Sequence, residues 1–327
     1  MNATVYTECF PPAPTWSIDD MPNQTGRVVI VTGGNSGIGL ETVRALLRKG
    51  AKVYMAARNE AKARNAFVKL REDTATAAGA VDFLHLDLAS FRSIEQFVRD
   101  FQRREERLDL LFNNAGLLVP KDNGEKTSEG YEIHMGANGL GVYYLTQLLI
   151  PFLKMSYSLN PARPPRVCFT SSLGHRAAPK CGFDPSDPSG ANIRFRMLPR
   201  EVQAYANSKM ANLLSARKMH RTYGKDGIIF NACNPGNIKS ALTRDVSGPS
   251  VLLLNHVVNP YFLHAPELGA LTQLYANTSL EAGEDGGVYY IPWARRGESV
   301  PAGNSTEAQD KLAAYFDAQI AQHARPV

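Results

Sequence analysis

The stretch RVVIVTGGNSGIGLETVRALLRKG, residues 27–50, decides the fold. Its opening, "RVVIVT", is a continuous apolar run rich in β-branched residues, as a strand covered on both faces requires. Its close, "IGLETVRALLRKG", spaces its apolar residues along one face of a helix and stops at Gly50. Between the two lie Gly33, Gly37 and Gly39. Glycine permits the tight turn and lets backbone N–H groups approach a diphosphate, while the N-terminus of the following helix offers partial positive charge. A glycine-rich turn is weak evidence alone. Flanked by a strand and a helix, it predicts a dinucleotide cradle.

Outward from this unit the pattern repeats. "AKVYMAAR" reads as a second strand, "NEAKARNAFVKLRED" as a helix and "VDFLHLDL" as a third strand. "SFRSIEQFVRDFQRRE" is a helix opened by a serine cap, and "RLDLLFNNAG" is a fourth strand. A long helix containing Asn138 follows, then "RVCFTSS" and "IIFNAC" as strands five and six. This alternation implies an α/β fold: a Rossmann-type doubly wound parallel sheet in a single domain. Ligands of such sheets bind at the carboxyl ends of the strands. "TGGNSGIG", "ARN", "LDL", "NNAG", "TSS" and "NPGNIKS" end or follow separate strands, so all six gather on one edge. That co-location is more specific than any single motif. Residues 1–26 read as a proline-dotted, aperiodic arm, 27–303 as the domain, and 304–327 as a C-terminal helix packed on it. Inserts at about 173–203 and 241–265 open where a substrate pocket would lie, and such loops commonly carry specificity.

Composition narrows the partners. The 327 residues suffice for one large α/β domain, with 44% hydrophobic and 20% charged content, ordinary for a globular protein. The net charge of +5, from 36 basic and 31 acidic residues, is not gathered into a basic arm, so no nucleic-acid partner is expected. Cys9, Cys168, Cys181 and Cys233 lack CxxC spacing, and Cys168 and Cys233 sit inside apolar runs. Buried thiols, no metal site and a reducing, cytoplasmic setting fit best. "MNATVYTECFPPAPTW" lacks the basic start and apolar core of a signal peptide, so the sequons at Asn2, Asn23, Asn277 and Asn304 carry no weight. The apolar segments at 135–153 and 251–263 are broken by polar residues and proline. No transmembrane span is expected; peripheral membrane contact stays open.

The strand ends also suggest chemistry. Arg58 stands at the second strand end, which in a dinucleotide site faces the adenosine ribose. A carboxylate there would bind the 2′-hydroxyl of NAD, whereas an arginine accommodates the 2′-phosphate of NADP. The sequence runs Ala56-Ala57-Arg58 with no carboxylate before Glu60, which favours NADP(H) over NAD(H). The plain alternative is an exposed arginine beside a helix cap. Asp87 suits either the adenine amino group or the cap of the next helix. In "AYANSKMANLL", residues 204–214, Tyr205 and Lys209 stand one helical turn apart and share a face. With 13 tyrosines, about half a match to this spacing arises by chance, so the pair alone is also consistent with a surface contact. Beside six functional strand ends it reads as an acid catalyst. A free phenol with a pKa of about 10 is a poor base at neutrality, and a neighbouring ammonium lowers that value.

"TGGNSGIG", "NNAG", "SS", "YANSK" and "NPG" stand in the order and spacing of the short-chain dehydrogenase/reductase family. From about Gly26 to Ile291 the chain resembles that family, and "VYMAARN" and "NPGNIKSALTR" resemble fungal members of its retinol-dehydrogenase-like branch. The resemblance implies a catalytic tetrad of Asn138, Ser172, Tyr205 and Lys209. It implies cofactor contacts from Gly33, Asn35, Ser36, Gly37, Ile38, Gly39, Arg58, Asp87, Leu88, Asn114, Ala115, Gly116, Tyr205 and Lys209, with Pro235, Gly236 and Ile238 beside the nicotinamide. In that scheme Tyr205 moves the proton and Lys209 tunes it and holds the nicotinamide ribose. Ser172 binds the substrate oxygen, and Asn138 holds a water linking Lys209 to solvent. Ser171 is the adjacent alternative; strand alternation turns the two serines to opposite faces, and family register favours Ser172. His175 is expected to be a solvated loop histidine, with substrate contact as the alternative, and His134 a core or interface residue. The implied activity is NADP(H)-dependent reduction of a ketone or aldehyde on a hydrophobic small molecule, or oxidation of the matching alcohol. The alternatives are a catalytically silent NADP-binding sensor or scaffold, or a secondary-metabolite tailoring enzyme with other chemistry on the same site. Family members dimerise through helices matching 135–153 and the Tyr205 helix, which leaves a homodimer open.

Overall fold

The computed structural model describes residues 3–73, 79–118, 124–190, 199–239 and 263–324. Its strands are β1 (Val28–Thr32), β2 (Lys52–Ala57), β3 (Ala80–His85), β4 (Leu110–Asn113), β5 (Arg166–Thr170), β6 (Ile229–Cys233), β7 (Tyr289–Ile291) and β8 (Arg295–Gly297). They form one sheet in the order β3-β2-β1-β4-β5-β6-β7-β8. Every pairing is parallel except that of β7 with β8. The winding reverses between β1 and β4, so the connections after these two strands diverge and leave a crevice at their carboxyl ends.

Why the strands are apolar throughout is visible in β1, where all five residues are buried. Val28 and Ile30 pack into a core with α4 (Phe91–Gln102), α5 (Val142–Leu159) and α6 (Arg200–Tyr223). Val29 and Val31 pack into a second core with α2 (Gly37–Arg48), α3 (Glu60–Asp73) and α7 (Pro266–Thr278). A strand between two helical layers has no face for polar residues. In α4 the buried residues Phe91, Ile94, Phe97, Val98 and Phe101 recur at helical spacing, and Ser90 caps the helix by accepting from the Ser93 N–H. Near the C-terminus, α8 (Pro301–Asn304) leads into α9 (Thr306–His323), which lies against α5 and α6 and buries Phe316 completely.

Three features differ from the sequence expectation. The arm at 1–26 contains a seven-residue helix, α1 (Ala3–Cys9), too short for a periodic signal. The three-residue strands β7 and β8 extend the sheet beyond the six expected strands. The insert after β5 begins with a tight 3₁₀ turn, Leu173–Ala177. Residues 191–198 of that insert lie outside the described residues, as do residues 241–262 of the expected 241–265 region. Among the described residues no helix is long and apolar enough to cross a membrane.

Candidate active site

The glycine-rich turn joins β1 to α2. Gly37 has φ +51°, a left-handed conformation that a side chain disfavours. Gly39 is required for space: an added Cβ would stand 2.2 Å from the Gly33 carbonyl oxygen and 2.6 Å from Asn114 Nδ2. Ser36 precedes α2 in extended backbone with no side-chain cap bond, and the first turn of α2, which includes Ile38, carries no acidic residue. Asn35 Nδ2 reaches the Asn59 carbonyl at 3.5 Å, tying this turn to the end of β2.

The turn after β4 is fixed onto β1. Asn114 Nδ2 donates to the Thr32 carbonyl at 2.8 Å, and the Ala115 N–H donates to the Thr32 hydroxyl at 2.9 Å. At the end of β2 the Arg58 guanidinium is exposed and stands no nearer than 4.0 Å to Asp87. Asp87 does not cap α4, since Ser90 holds that place; its carboxylate instead accepts from the Ala89 N–H at 3.0 Å. The Leu88 carbonyl packs on Gly141, where a Cβ would stand 2.2 Å from the oxygen.

Asn138 lies midway in a widened π-helical run, His134–Gly141, that continues into α5. Its Nδ2 donates to the Leu117 carbonyl at 2.9 Å and to the Ser208 hydroxyl at 3.2 Å, and its Oδ1 accepts from the Leu117 N–H at 2.9 Å. The amide thereby fastens the segment that follows Gly116. Lys209 is buried, and its Nζ donates to the Thr170 carbonyl at 3.0 Å. It lies 5.5 Å from the centre of the Tyr205 ring and reaches toward Gly116, where an added Cβ would stand 3.0 Å from it. The two serines diverge as strand alternation requires. Ser171 is buried and donates to the Lys209 carbonyl at 2.7 Å, whereas the Ser172 hydroxyl accepts from the Gly174 N–H at 3.1 Å and stands with the Tyr205 ring beside Gly174. The structure thus brings Asn138, Ser172, Tyr205 and Lys209 to the carboxyl ends of β4 and β5.

Electrostatics follow burial. Desolvation raises the Tyr205 phenol above its ordinary value, and the nearby Ser172 hydroxyl opposes that rise. Desolvation also holds the Lys209 amine down to about 8. Beyond β6, Gly236 adopts φ +84° and donates its N–H to Asn234 Oδ1 at 3.0 Å, which shapes the Pro235–Gly236 turn. Ile238 follows, buried and bridged to His264.

His175 corrects the sequence reading. It is fully buried rather than solvated, with Nδ1 2.7 Å from the Ser172 carbonyl and its ring edge-on to Tyr289 at 5.1 Å. His134 is a buried residue as expected, 2.6 Å from Glu132 and edge-on to Tyr205. Sequence reasoning missed Gln273, a buried hub that bonds Thr42, Asn114 and Thr170 beneath the crevice. A lone glutamine in an apolar helix was its only signal.

The donor set fits a dinucleotide. Its glycine cradle and bare helix N-terminus suit a diphosphate, and Lys209 suits ribose hydroxyls. Known proteins agree at family level. A family model described as short chain dehydrogenase matches residues 27–177. A short-chain dehydrogenase/reductase of Armillaria gallica is 42% identical over 297 residues, 90% of this chain and 91% of that protein. An uncharacterized oxidoreductase of Schizosaccharomyces pombe is 35% identical, covering 87% of this chain and 82% of its own length. Among solved structures, an RhlG/NADP active-site complex from Pseudomonas aeruginosa superimposes with a TM-score of 0.63 at 25% identity, covering 82% of this chain and 94% of that one. The chain belongs to the short-chain dehydrogenase/reductase family. Its fold is that of a Rossmann-type oxidoreductase.

Proposed function

We propose that this protein uses NADP(H) to reduce a ketone or aldehyde on a hydrophobic small molecule, or to oxidise the matching alcohol, with Tyr205 as general acid and base. The observation that carries this reading is the convergence of Tyr205, Ser172 and Lys209 at the carboxyl ends of the central strands. A bound nicotinamide supplies or accepts the hydride. Near neutrality the phenol is protonated, because its pKa is raised, and the amine at about 8 is mostly charged. This is the state in which Tyr205 can give a proton to the oxygen formed on reduction. Ser172 orients that oxygen, and Lys209 steadies the negative charge left on the phenol. Asn138 keeps the Leu117 segment in place and offers a polar route by which a water returns the proton. The NADP(H) preference is supported by the exposed Arg58, whose contact with Asp87 is long. The RhlG relative of known structure was likewise complexed with NADP.

The test is NADPH and NADH oxidation across hydrophobic aldehydes and ketones, with Tyr205→Phe and Arg58→Ala beside the wild type. Turnover should fall by about 10²–10⁴-fold in Y205F with cofactor binding retained. R58A should erode the preference for NADPH and leave NADH turnover unchanged. A Y205F protein as active as wild type sinks the assignment.

A further inference from the structure

Helix α1 sends one carboxylate into the interior, that of Glu8, which is 1% exposed. Three parts of the chain hold it. Arg176 Nη2 pairs with Oε1, Asn234 Nδ2 donates to Oε2 at 2.9 Å, and the Tyr289 hydroxyl donates to Oε2 at 3.2 Å. Arg295 fastens the same helix by donating from Nη2 to the Thr7 carbonyl at 3.0 Å. A buried carboxylate is costly unless its oxygens are met by donors, and here both are.

Two of these partners sit in loops that carry active-site groups. Arg176 belongs to the Leu173–Ala177 turn, whose cap is Ser172. Asn234 directly precedes Pro235–Gly236, and its Oδ1 receives the Gly236 N–H. A carboxylate can only accept hydrogen bonds, whereas an asparagine amide has one donating and one accepting end. Glu8 therefore dictates which way the Asn234 amide faces, and that choice turns Oδ1 toward Gly236.

We propose that Glu8 is a positioning residue of the active site. Through Asn234 it sets the Pro235–Gly236 turn, and through Arg176 it sets the turn that carries Ser172. One side chain thus holds the substrate-oxygen side and the nicotinamide side of the site in register. The inference rests on the reductase reading of that site for its catalytic consequence, but not for its structural one.

The experiment compares wild type, Glu8→Gln, Asn234→Asp and the double variant by amide hydrogen exchange, NADPH binding and NADPH oxidation. In E8Q the new amide must present a donor to Asn234 or to Arg176, so peptides 171–178 and 233–239 should exchange faster while β1 keeps its protection. Where turnover is measurable, kcat should drop by roughly tenfold or more, the scale of one charge-assisted hydrogen bond. In N234D two carboxylates meet and the same loops loosen. The double variant reverses donor and acceptor. The amide introduced at position 8 donates to the carboxylate introduced at position 234, whose other oxygen still receives the Gly236 N–H. The oxygen of the introduced amide receives Arg176. Protection and kcat should return most of the way. Unchanged exchange in E8Q, or losses that multiply in the double variant, would overturn the proposal. Should N234D fail to fold, E8Q alone decides: loop-specific loosening supports the inference, and uniform loosening that includes β1 overturns it. A wild type that oxidises NADPH with no carbonyl defeats the reductase reading, while exchange and binding still judge Glu8.

Discussion

At His175 and Lys209, burial lowers both pKa values, so each gives stability that rises with pH through its own window. The His175 Nδ1 faces the Ser172 carbonyl, while Nε2 is buried with no hydrogen-bond partner among the described residues, so the neutral ring carries its proton on Nδ1. Desolvation holds its pKa down to about 4, against about 6.5 in the unfolded chain. Its contribution to stability is thus complete above about 6.5 and is lost as pH falls through about 4, because the unfolded chain takes up the proton first. Urea unfolding midpoints should decline across that window, and His175→Asn, whose amide donates to the same carbonyl without titrating, should flatten the decline. Lys209 has the same sign at higher pH, and its charge also bears on turnover. With its amine at about 8, turnover should show an alkaline limb near that pH as the ammonium is lost. Stability should rise between about 8 and 10.5, because the unfolded lysine still binds a proton that the folded one has released. A rate profile flat through pH 9 would count against a charged Lys209 in the reaction.

The elements differ in how openly the sequence announces them. Gly39→Ala should weaken NADPH binding by roughly tenfold or more and lower the melting temperature, since its Cβ meets backbone at 2.2 Å and the turn must open; a fluorescence titration of NADPH would show it. Gly37→Ala has open space around the new Cβ and meets only the strain of φ +51°, on the order of 1 kcal/mol. Both glycines were legible because a strand and a helix bracket them in sequence. The same holds for β1 to β6 and for α2 to α6, whereas the roles of Asn138, Ser172, Tyr205 and Lys209 as a tetrad came only from the family resemblance. Helix α1 and strands β7 and β8 were not legible. Seven or three residues are too few for a period to register, and their conformation is set by partners distant in the chain. His175 was misread for the same reason: its burial comes from the Tyr289 ring, which "SSLGHR" cannot foretell. The widened helical run around Asn138 also left no mark, because its residues read as an ordinary apolar helix.

Over the whole molecule, α9 bears on how copies can associate. Asp317 accepts from the Tyr143 hydroxyl at 3.1 Å and from Gln147 at 2.8 Å, and Asp310 pairs with Lys218 at 2.8 Å. Phe316 fills the seam beside Tyr143 and Phe183. These contacts lie on α5 and α6, the helices whose counterparts pair between subunits in the resembling family members. A dimer through that pair would require α9 to leave, so sedimentation at micromolar concentration should give a monomer, or a dimer whose protected surface lies elsewhere. Phe316→Ala should cost about 3–5 kcal/mol, the range for emptying a buried aromatic site, read as a lower unfolding midpoint. A stable dimer with α5 and α6 shielded between copies would refute this arrangement.

The anchoring of Glu8 has a consequence in time. Its partner Tyr289 lies 281 residues later in the chain. At synthesis rates of roughly 5–20 residues per second, the carboxylate waits on the order of tens of seconds before its last donor leaves the ribosome. Late in that interval the cradle, β4 and the Tyr205 helix can already exist while Glu8 lacks Tyr289 and α1 lacks Arg295. If Glu8 positions the loops around Ser172 and Gly236 as proposed, a nascent chain halted before β7 carries Ser172, Tyr205 and Gly236 while Glu8 still lacks its Tyr289 donor.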